Sequence, residues 1–181
     1  LGDVYKRQSS HVGSSLSIVE ILYSLYFNIL KKKDVFILSK GHAALGLYCI
    51  LFEKKILDKR ILYSFGSNGT KLMAHASHKV KGVEFSTGSL GHGLPLAVGK
   101  ALYYKSKNKK NKVYVLMSDG ELNEGTTWES LMFAAHHNLN NLTIILDNNG
   151  IQSMGQAKYI LNLKPINKKI KAFGCKVLEC N

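Results

Sequence analysis

Along the first part of the chain, apolar residues recur at helical intervals. Leu16, Val19, Leu22, Tyr23, Tyr26, Ile29 and Leu30 predict a helix from Leu16, with Ser17 and Glu20 spaced as a capping box at its start. The pattern then shortens. Val35–Leu38 reads as a strand ending at Ser39, Gly41–Phe52 as a helix rich in small residues, and Asp58–Phe65 as another short helix. The glycine-, serine- and histidine-rich stretch from Gly66 to Gly93 has no sustained period, and a loop that long inside a compact domain is more often functional than idle.

Regular patterning resumes after this loop. Leu94, Ala97, Val98 and Ala101 mark a helix with Pro95 in its first turn, where the missing N–H costs nothing. Val113–Met117 is a continuous apolar run suited to a buried parallel strand, and Leu142-Thr-Ile-Ile-Leu146 reads as the next buried strand. Between them Trp128, Leu131, Met132, Ala135 and His136 keep helical spacing, so the segment predicts a right-handed βαβ unit. A helix over Pro165–Phe173 and a last strand at Cys175–Leu178 complete the reading. The expected class is α/β, with an open, mostly parallel sheet flanked by helices.

Composition narrows the class of molecule. With 181 residues, 45% hydrophobic and 20% charged, the chain suits one packed domain that buries roughly 70% of its unfolded surface without disulfide staples. Cys49, Cys175 and Cys180 form no CxxC pair, which argues against a zinc ribbon or a disulfide framework. No apolar run is read as reaching the roughly 18 residues of a membrane span. Residues 1–8 lack the apolar core of a signal peptide and join no periodic pattern, so they are set aside as extraneous and the cytoplasm is the expected location. The net charge of +13 comes almost wholly from lysine, with Arg7 and Arg60 the only arginines. The lysines fall mainly in short polar connectors, such as 31–33 and 105–112, without the arginine expected of base readout. The expectation is therefore no nucleic-acid role and no membrane role, although a positive field also suits an anionic small molecule.

Two polar segments occupy equivalent places in the βαβ unit. Ser118-Asp-Gly-Glu121 follows one strand and Asp147-Asn-Asn-Gly150 follows the next. In a parallel sheet both loops emerge at the carboxyl edge, where open α/β folds bind ligands. A carboxylate from Asp119, an amide oxygen from Asn149 and a loop carbonyl meeting there suit a hard cation, Mg²⁺ or Ca²⁺. Taken singly, Asp119 could instead cap the following helix and Asn149 could sit in a turn. Thr87-Gly-Ser-Leu-Gly-His-Gly93 leads straight into a helix, offering close backbone approach and free N–H groups to an anion, although it matches neither GxGxxG nor a P-loop. His11, His42, His75, His78 and His92 all lie in or beside small-residue turns. Neutral histidines around an anionic, hydroxyl-rich substrate can donate hydrogen bonds and carry protons, whereas His75 and His78 alone are too few ligands for zinc. The pair His136-His137 ends a helix and reads as structural.

These landmarks together resemble a known family. From Ser9 to Asn181, the segments Ser10-His-Val-Gly13, Ser39-Lys-Gly-His42, His75, Ser86-Thr-Gly-Ser-Leu-Gly-His-Gly93, Ser118-Asp-Gly-Glu-Leu-Asn-Glu124 and Asp147-Asn-Asn-Gly-Ile-Gln152 look like the amino-terminal, diphosphate-binding domain of transketolase, a thiamine-diphosphate enzyme. The resemblance implies that residues 9–181 form that domain, truncated at its C-terminal end. It implies that Asp119, Asn149 and the Ile151 carbonyl ligate Mg²⁺, that Gly88, Leu90, Ser118, Gly120 and Asn149 meet the cofactor, and that His11, His42 and His75 are catalytic residues. Glu124 would fall in the subunit contact. The implied reaction is two-carbon ketol transfer from a ketose phosphate to an aldose. It needs a pyrimidine-binding domain or C-terminal subunit, in a dimer of such pairs, and this chain is expected to be inactive without one.

Ser118 departs from the family, which usually has Gly before Asp-Gly, and backbone approach to the cofactor is in question there. Rival readings are another thiamine-diphosphate enzyme, such as a deoxyxylulose-phosphate synthase or a dehydrogenase E1 component, and a lysine-rich noncatalytic anion- or nucleic-acid-binding module. The placement of His75 seven residues before Gly82 favours transketolase.

Overall fold

The computed structural model describes residues 11–180, so the expectation for residues 1–8 lies outside the described residues. Its centre is a parallel sheet in the order β1 (Val35–Leu38), β2 (Val113–Ser118), β3 (Leu142–Asp147). Val35 pairs with Val113 on one side of the central strand, and Ser118 pairs with Asp147 on the other. All six residues of β2 are buried, as its continuous apolar run requires. The expected buried strand at 142–146 is covered only in part, because β3 stands at the edge of the three-stranded sheet.

Alternate side chains of β2 feed two cores. Tyr114 and Leu116 face Ile18, Leu22, Leu47 and Leu51, from α2 (Val19–Ser24), the residue before it, and α3 (Ala44–Glu53). Val113, Val115 and Met117 face Leu94, Ala97, Val98 and Ala101 of α5 (Gly93–Ser106) and Leu131 and Ala134 of α6 (Gly125–His136). Helices thus cover both faces, which is the expected layering. The short α4 (Lys59–Tyr63) is capped by Asp58, whose carboxylate accepts the Ile61 N–H at 2.8 Å.

Four expectations are corrected. The first helix begins earlier, as α1 (Val12–Leu16), breaks at 17–18, resumes as α2 and closes in a π turn over Leu25–Ile29. The Ser17–Glu20 capping box does not form. Ile18 is the N-cap of α2, and the Ser17 hydroxyl lies 3.0 Å from the Ser14 carbonyl and 2.6 Å from Asp147 Oδ2. Taken whole, Val12–Ile29 is an 18-residue stretch of mean hydropathy 1.3, long and apolar enough for a span by length and composition; 22% of it is buried, with Ile18, Leu22 and Leu25 in the core. Residues 175–178 form no strand. The sequence also concealed a hairpin of β4 (Ile151–Gln152) and β5 (Gly155–Gln156), whose two-residue strands are too short to show a period. Beyond it lie α7 (Ala157–Ile160) and α8 (Ile166–Ala172).

Candidate active site

The carboxyl edge of the sheet is organised around a buried glutamate. Ser118 ends β2 and opens a 3-10 turn over Asp119–Asn123; Ser118 and Glu121 form its capping box, the Ser-x-x-Glu spacing that the sequence carries. Glu121 is fully buried, and its carboxylate accepts from the Ser118 N–H at 2.9 Å, the Gly91 N–H at 3.1 Å and the Ser39 hydroxyl. One side chain therefore ties the loops after β1 and β2 to the glycine loop. Burial pushes its pKa up, while these three donors and the Lys40 charge pull the other way. The Thr126 hydroxyl donates to the Gly91 carbonyl at 2.9 Å, fastening the same loop from α6. At Gly93 a Cβ would lie 2.6 Å from Ser39 Cα, so the start of α5 can approach β1 this closely only with glycine there.

The loops after β2 and β3 are joined directly. Asp119, 6% exposed, accepts the Gly150 N–H at 3.0 Å, so it holds the next loop instead of capping the turn, a task that falls to Ser118. Burial raises its pKa, and backbone donors at Gly120 and Gly150 oppose the rise. Asn149 does occupy a turn, its Oδ1 accepting the Ile151 N–H at 3.0 Å while its Nδ2 donates to Asp147 Oδ2 at 3.3 Å. Asp119 carboxylate, Asn149 amide oxygen and Ile151 carbonyl thus belong to two loops fastened together by the Asp119–Gly150 bond. All three donors are hard oxygens, a set that fits a magnesium-like ion. Among the described residues no group of three or more His, Cys, Asp or Glu is arranged to hold a metal ion by itself.

Beneath this edge lies a contact that the sequence reading missed. Lys40, 1% exposed, donates to Asp147 Oδ2 at 2.6 Å, and its Nζ is 3.2 Å from Ser17 Oγ. The only signal for it was a lysine placed two residues after a fully apolar strand and just before Gly41.

Three of the five turn histidines come together. The His11 ring centroid is 5.4 Å from that of His42 and 5.9 Å from that of His75. The His42 pKa falls from 6.5 to about 4, chiefly through burial and then through the charges of Lys40, His11 and His75, against the opposing pull of Asp147. His75 is exposed, with the Tyr48 hydroxyl donating to its carbonyl at 3.1 Å. Its ring lies 3.4 Å from where a Gly88 Cβ would stand. His78 turns to Ser86 Oγ at 2.6 Å, and His92 Nδ1 lies 3.0 Å from the Leu90 carbonyl. The pair His136-His137 closes α6, where Lys105 Nζ donates to the His137 carbonyl at 2.8 Å.

The remaining expected residues line the same edge. Gly120 packs beside the Gln152 side chain, and Leu90 is half-buried in the glycine loop. Glu124 is exposed at the N-cap of α6, next to Gly91. Residues 1–181 match the family described as "Transketolase, thiamine diphosphate binding domain". The chain belongs to the transketolase family.

Among curated transketolases, an apulose-4-phosphate transketolase subunit of Actinobacillus succinogenes is 46% identical over 180 residues, covering 94% of this chain and 65% of that protein. The 6-deoxy-6-sulfo-D-fructose transketolase subunit SqwG of Clostridium sp. is 36% identical, covering 96% of this chain and 67% of that protein. The chain therefore spans about two thirds of the length of these relatives. Among solved structures, transketolase from Leishmania mexicana superposes with a TM-score of 0.87 at 27% identity, over 94% of this chain and 28% of that one. The domain is a thiamine-diphosphate-binding domain of transketolase type, which decides between transketolase and the deoxyxylulose-phosphate synthase and dehydrogenase alternatives.

Proposed function

We propose that this domain holds the diphosphate of thiamine diphosphate through Mg²⁺, or Ca²⁺ in its place, in an enzyme that moves a two-carbon ketol unit from a ketose phosphate to an aldose. The observation that carries this reading is the Asp119–Gly150 hydrogen bond, which fastens the two loops bearing Asp119, Asn149 and Ile151 into one oxygen-donor set. Those three residues bind the cation. Gly88, Leu90, Ser118 and Gly120 bound the cofactor beside it, with the glycine loop fixed by Glu121 and Thr126. Ser118, the residue that departs from the family glycine, serves as the N-cap of the turn that presents Asp119.

When bound, thiamine diphosphate supplies the electron sink for cleaving the bond next to the donor carbonyl. His11, His42 and His75 form the polar wall facing a sugar. His42, neutral at physiological pH, donates or accepts hydrogen bonds at substrate hydroxyls and passes protons without adding fixed charge. His75, exposed at the rim, meets the incoming sugar first. Glu124 points outward beside the glycine loop and contacts the pyrimidine-binding partner, a separate C-terminal polypeptide, in keeping with relatives that are themselves named as transketolase subunits. The active assembly is a dimer of such pairs. The relatives' printed substrates differ from one another, so the sugar pair is assigned no further than ketose phosphate and aldose.

The test is calorimetric titration of thiamine diphosphate with Mg²⁺ into the full-length protein, with and without its pyrimidine-binding partner, beside an Asp119→Ala control. Binding that requires Mg²⁺ and vanishes in the control is expected. No binding by the complete pair would overturn the reading.

A further inference from the structure

A lysine with 1% of its surface exposed, paired with a carboxylate that is 8% exposed, is an unpromising way to stabilise a fold. The desolvation of both charges offsets most of their attraction, and apolar residues of similar volume often serve stability as well or better. The place of the Lys40–Asp147 pair is more informative. Lys40 follows β1 and lies two residues before His42; Asp147 ends β3 and lies two residues before Asn149. One oxygen, Asp147 Oδ2, accepts from Lys40 Nζ at 2.6 Å, Ser17 Oγ at 2.6 Å and Asn149 Nδ2 at 3.3 Å. The bond from Nδ2, together with the Ile151 N–H that Oδ1 accepts at 3.0 Å, sets which way the Asn149 amide faces: its amino end is taken by Asp147 and its oxygen end is directed away from it. Lys40 also occupies Asp147, so that a second carboxylate does not compete for the cation or repel an anionic ligand.

We propose that Lys40 is a positioning residue for the cation site: through Asp147 it orients the Asn149 amide so that its oxygen faces the metal. The inference rests on the cofactor reading above and deepens it. Lys40 touches neither cation nor substrate in this role; it acts through Asp147, as outer partners of metal ligands do. Ser17 belongs to the same device, which accounts for the broken start of the first helix: its hydroxyl serves Asp147 instead of capping α2.

The experiment compares three forms of the full-length protein with its pyrimidine-binding partner: wild type, Lys40→Met, and Lys40→Met with Asp147→Asn. For each, the Mg²⁺ concentration that half-saturates thiamine diphosphate binding is measured by calorimetry, and the melting temperature is measured without ligands. Lys40→Met alone leaves a buried carboxylate unpaired and is expected to lower the melting temperature. The double variant removes both charges and is expected to recover it. The proposal requires the half-saturating Mg²⁺ concentration to rise about 10- to 100-fold and to stay raised in the double variant. If Mg²⁺ affinity recovers together with melting temperature, or never changes, the pair is merely structural and the proposal fails while the cofactor reading stands. Should the wild type itself bind no thiamine diphosphate, both fall together. A single variant that does not fold leaves the double variant to decide.

Discussion

The carboxylate of Glu121 accepts the backbone N–H of Gly91 at 3.1 Å, joining the turn after β2 to the glycine loop that precedes α5. This bond links two loops separated by more than a helix and a strand, and Glu121 uses its remaining acceptor capacity on Ser118 and Ser39. Glu121→Ala is therefore expected to leave buried donors at three places without partners, at a cost of about 1–3 kcal/mol for each that water cannot reach. Glu121→Gln keeps one acceptor oxygen and should lose distinctly less. Urea unfolding of the two variants checks this order. Equal stability of all three proteins would mean that the glycine loop is held in place without Glu121.

Glycines in this domain separate into those that geometry demands and those that it tolerates. Gly93→Ala would place a methyl group 2.6 Å from Ser39 Cα, a backbone neighbour that cannot swing aside, so a loss of about 1–3 kcal/mol is expected. Gly99 lies in the middle of α5, where an added Cβ meets nothing within 4 Å. Gly99→Ala should instead stabilise by roughly 0.5–1 kcal/mol, the usual helix-interior preference for alanine. Thermal melting of both variants tests the contrast, and a stabilised Gly93→Ala would disprove the close packing of α5 on β1.

Much of this was legible beforehand, for reasons that differ by residue. The runs 113–117 and 142–146 announced parallel strands because strands inside such a sheet are largely apolar, and pairing Ser118 with Asp147 follows once both are in one sheet. Residues 175–178 look like another strand by composition, but strand pairing is a tertiary property, and the sheet of the described residues ends at β3. Ser17 and Glu20 have capping-box spacing, yet a stronger partner, Asp147, lies 130 residues away and draws the serine hydroxyl. Lys40 escaped notice for the same reason: a charge whose partner is distant in sequence looks like any surface lysine. Glu121 could have been found, since Ser-x-x-Glu at the end of a strand signals a capping box.

Asp119 is held in the fold at a cost to stability. Its burial raises the carboxyl's pKa, so the charged form that a cation needs is disfavoured when no cation is present. Asp119→Asn is thus expected to melt, without ligands, at or above the wild-type temperature, since the Gly150 N–H can still be accepted by an amide oxygen. Added Mg²⁺ and thiamine diphosphate should raise the melting point of the wild-type pair, as any ligand specific to the folded state does. The variant should show little or none of that rise, and chelation should abolish the wild-type rise. A full ligand-induced rise in Asp119→Asn would exclude Asp119 as a cation ligand.

His42 ties the polar wall to acid stability with a definite sign. Its imidazole titrates at about 4 in the folded protein, against an ordinary 6.5 once unfolded, because burial comes first and Lys40, His11 and His75 add to it. Between those two values the unfolded chain carries a proton on this residue that the folded chain does not. Stability conferred by a neutral His42 is accordingly complete above about 6.5, and it declines as the pH falls toward 4. Replacing it with asparagine removes this one contribution while leaving the carboxylates to titrate as before. The difference in unfolding free energy, wild type minus His42→Asn, is therefore expected to decrease steadily from pH 6.5 to 4 and to level off below. Urea denaturation at half-unit pH steps measures it directly. A flat difference would mean that His42 takes up its proton in the folded protein as readily as in the unfolded one, and that the histidine wall carries positive charge toward a sugar in mild acid.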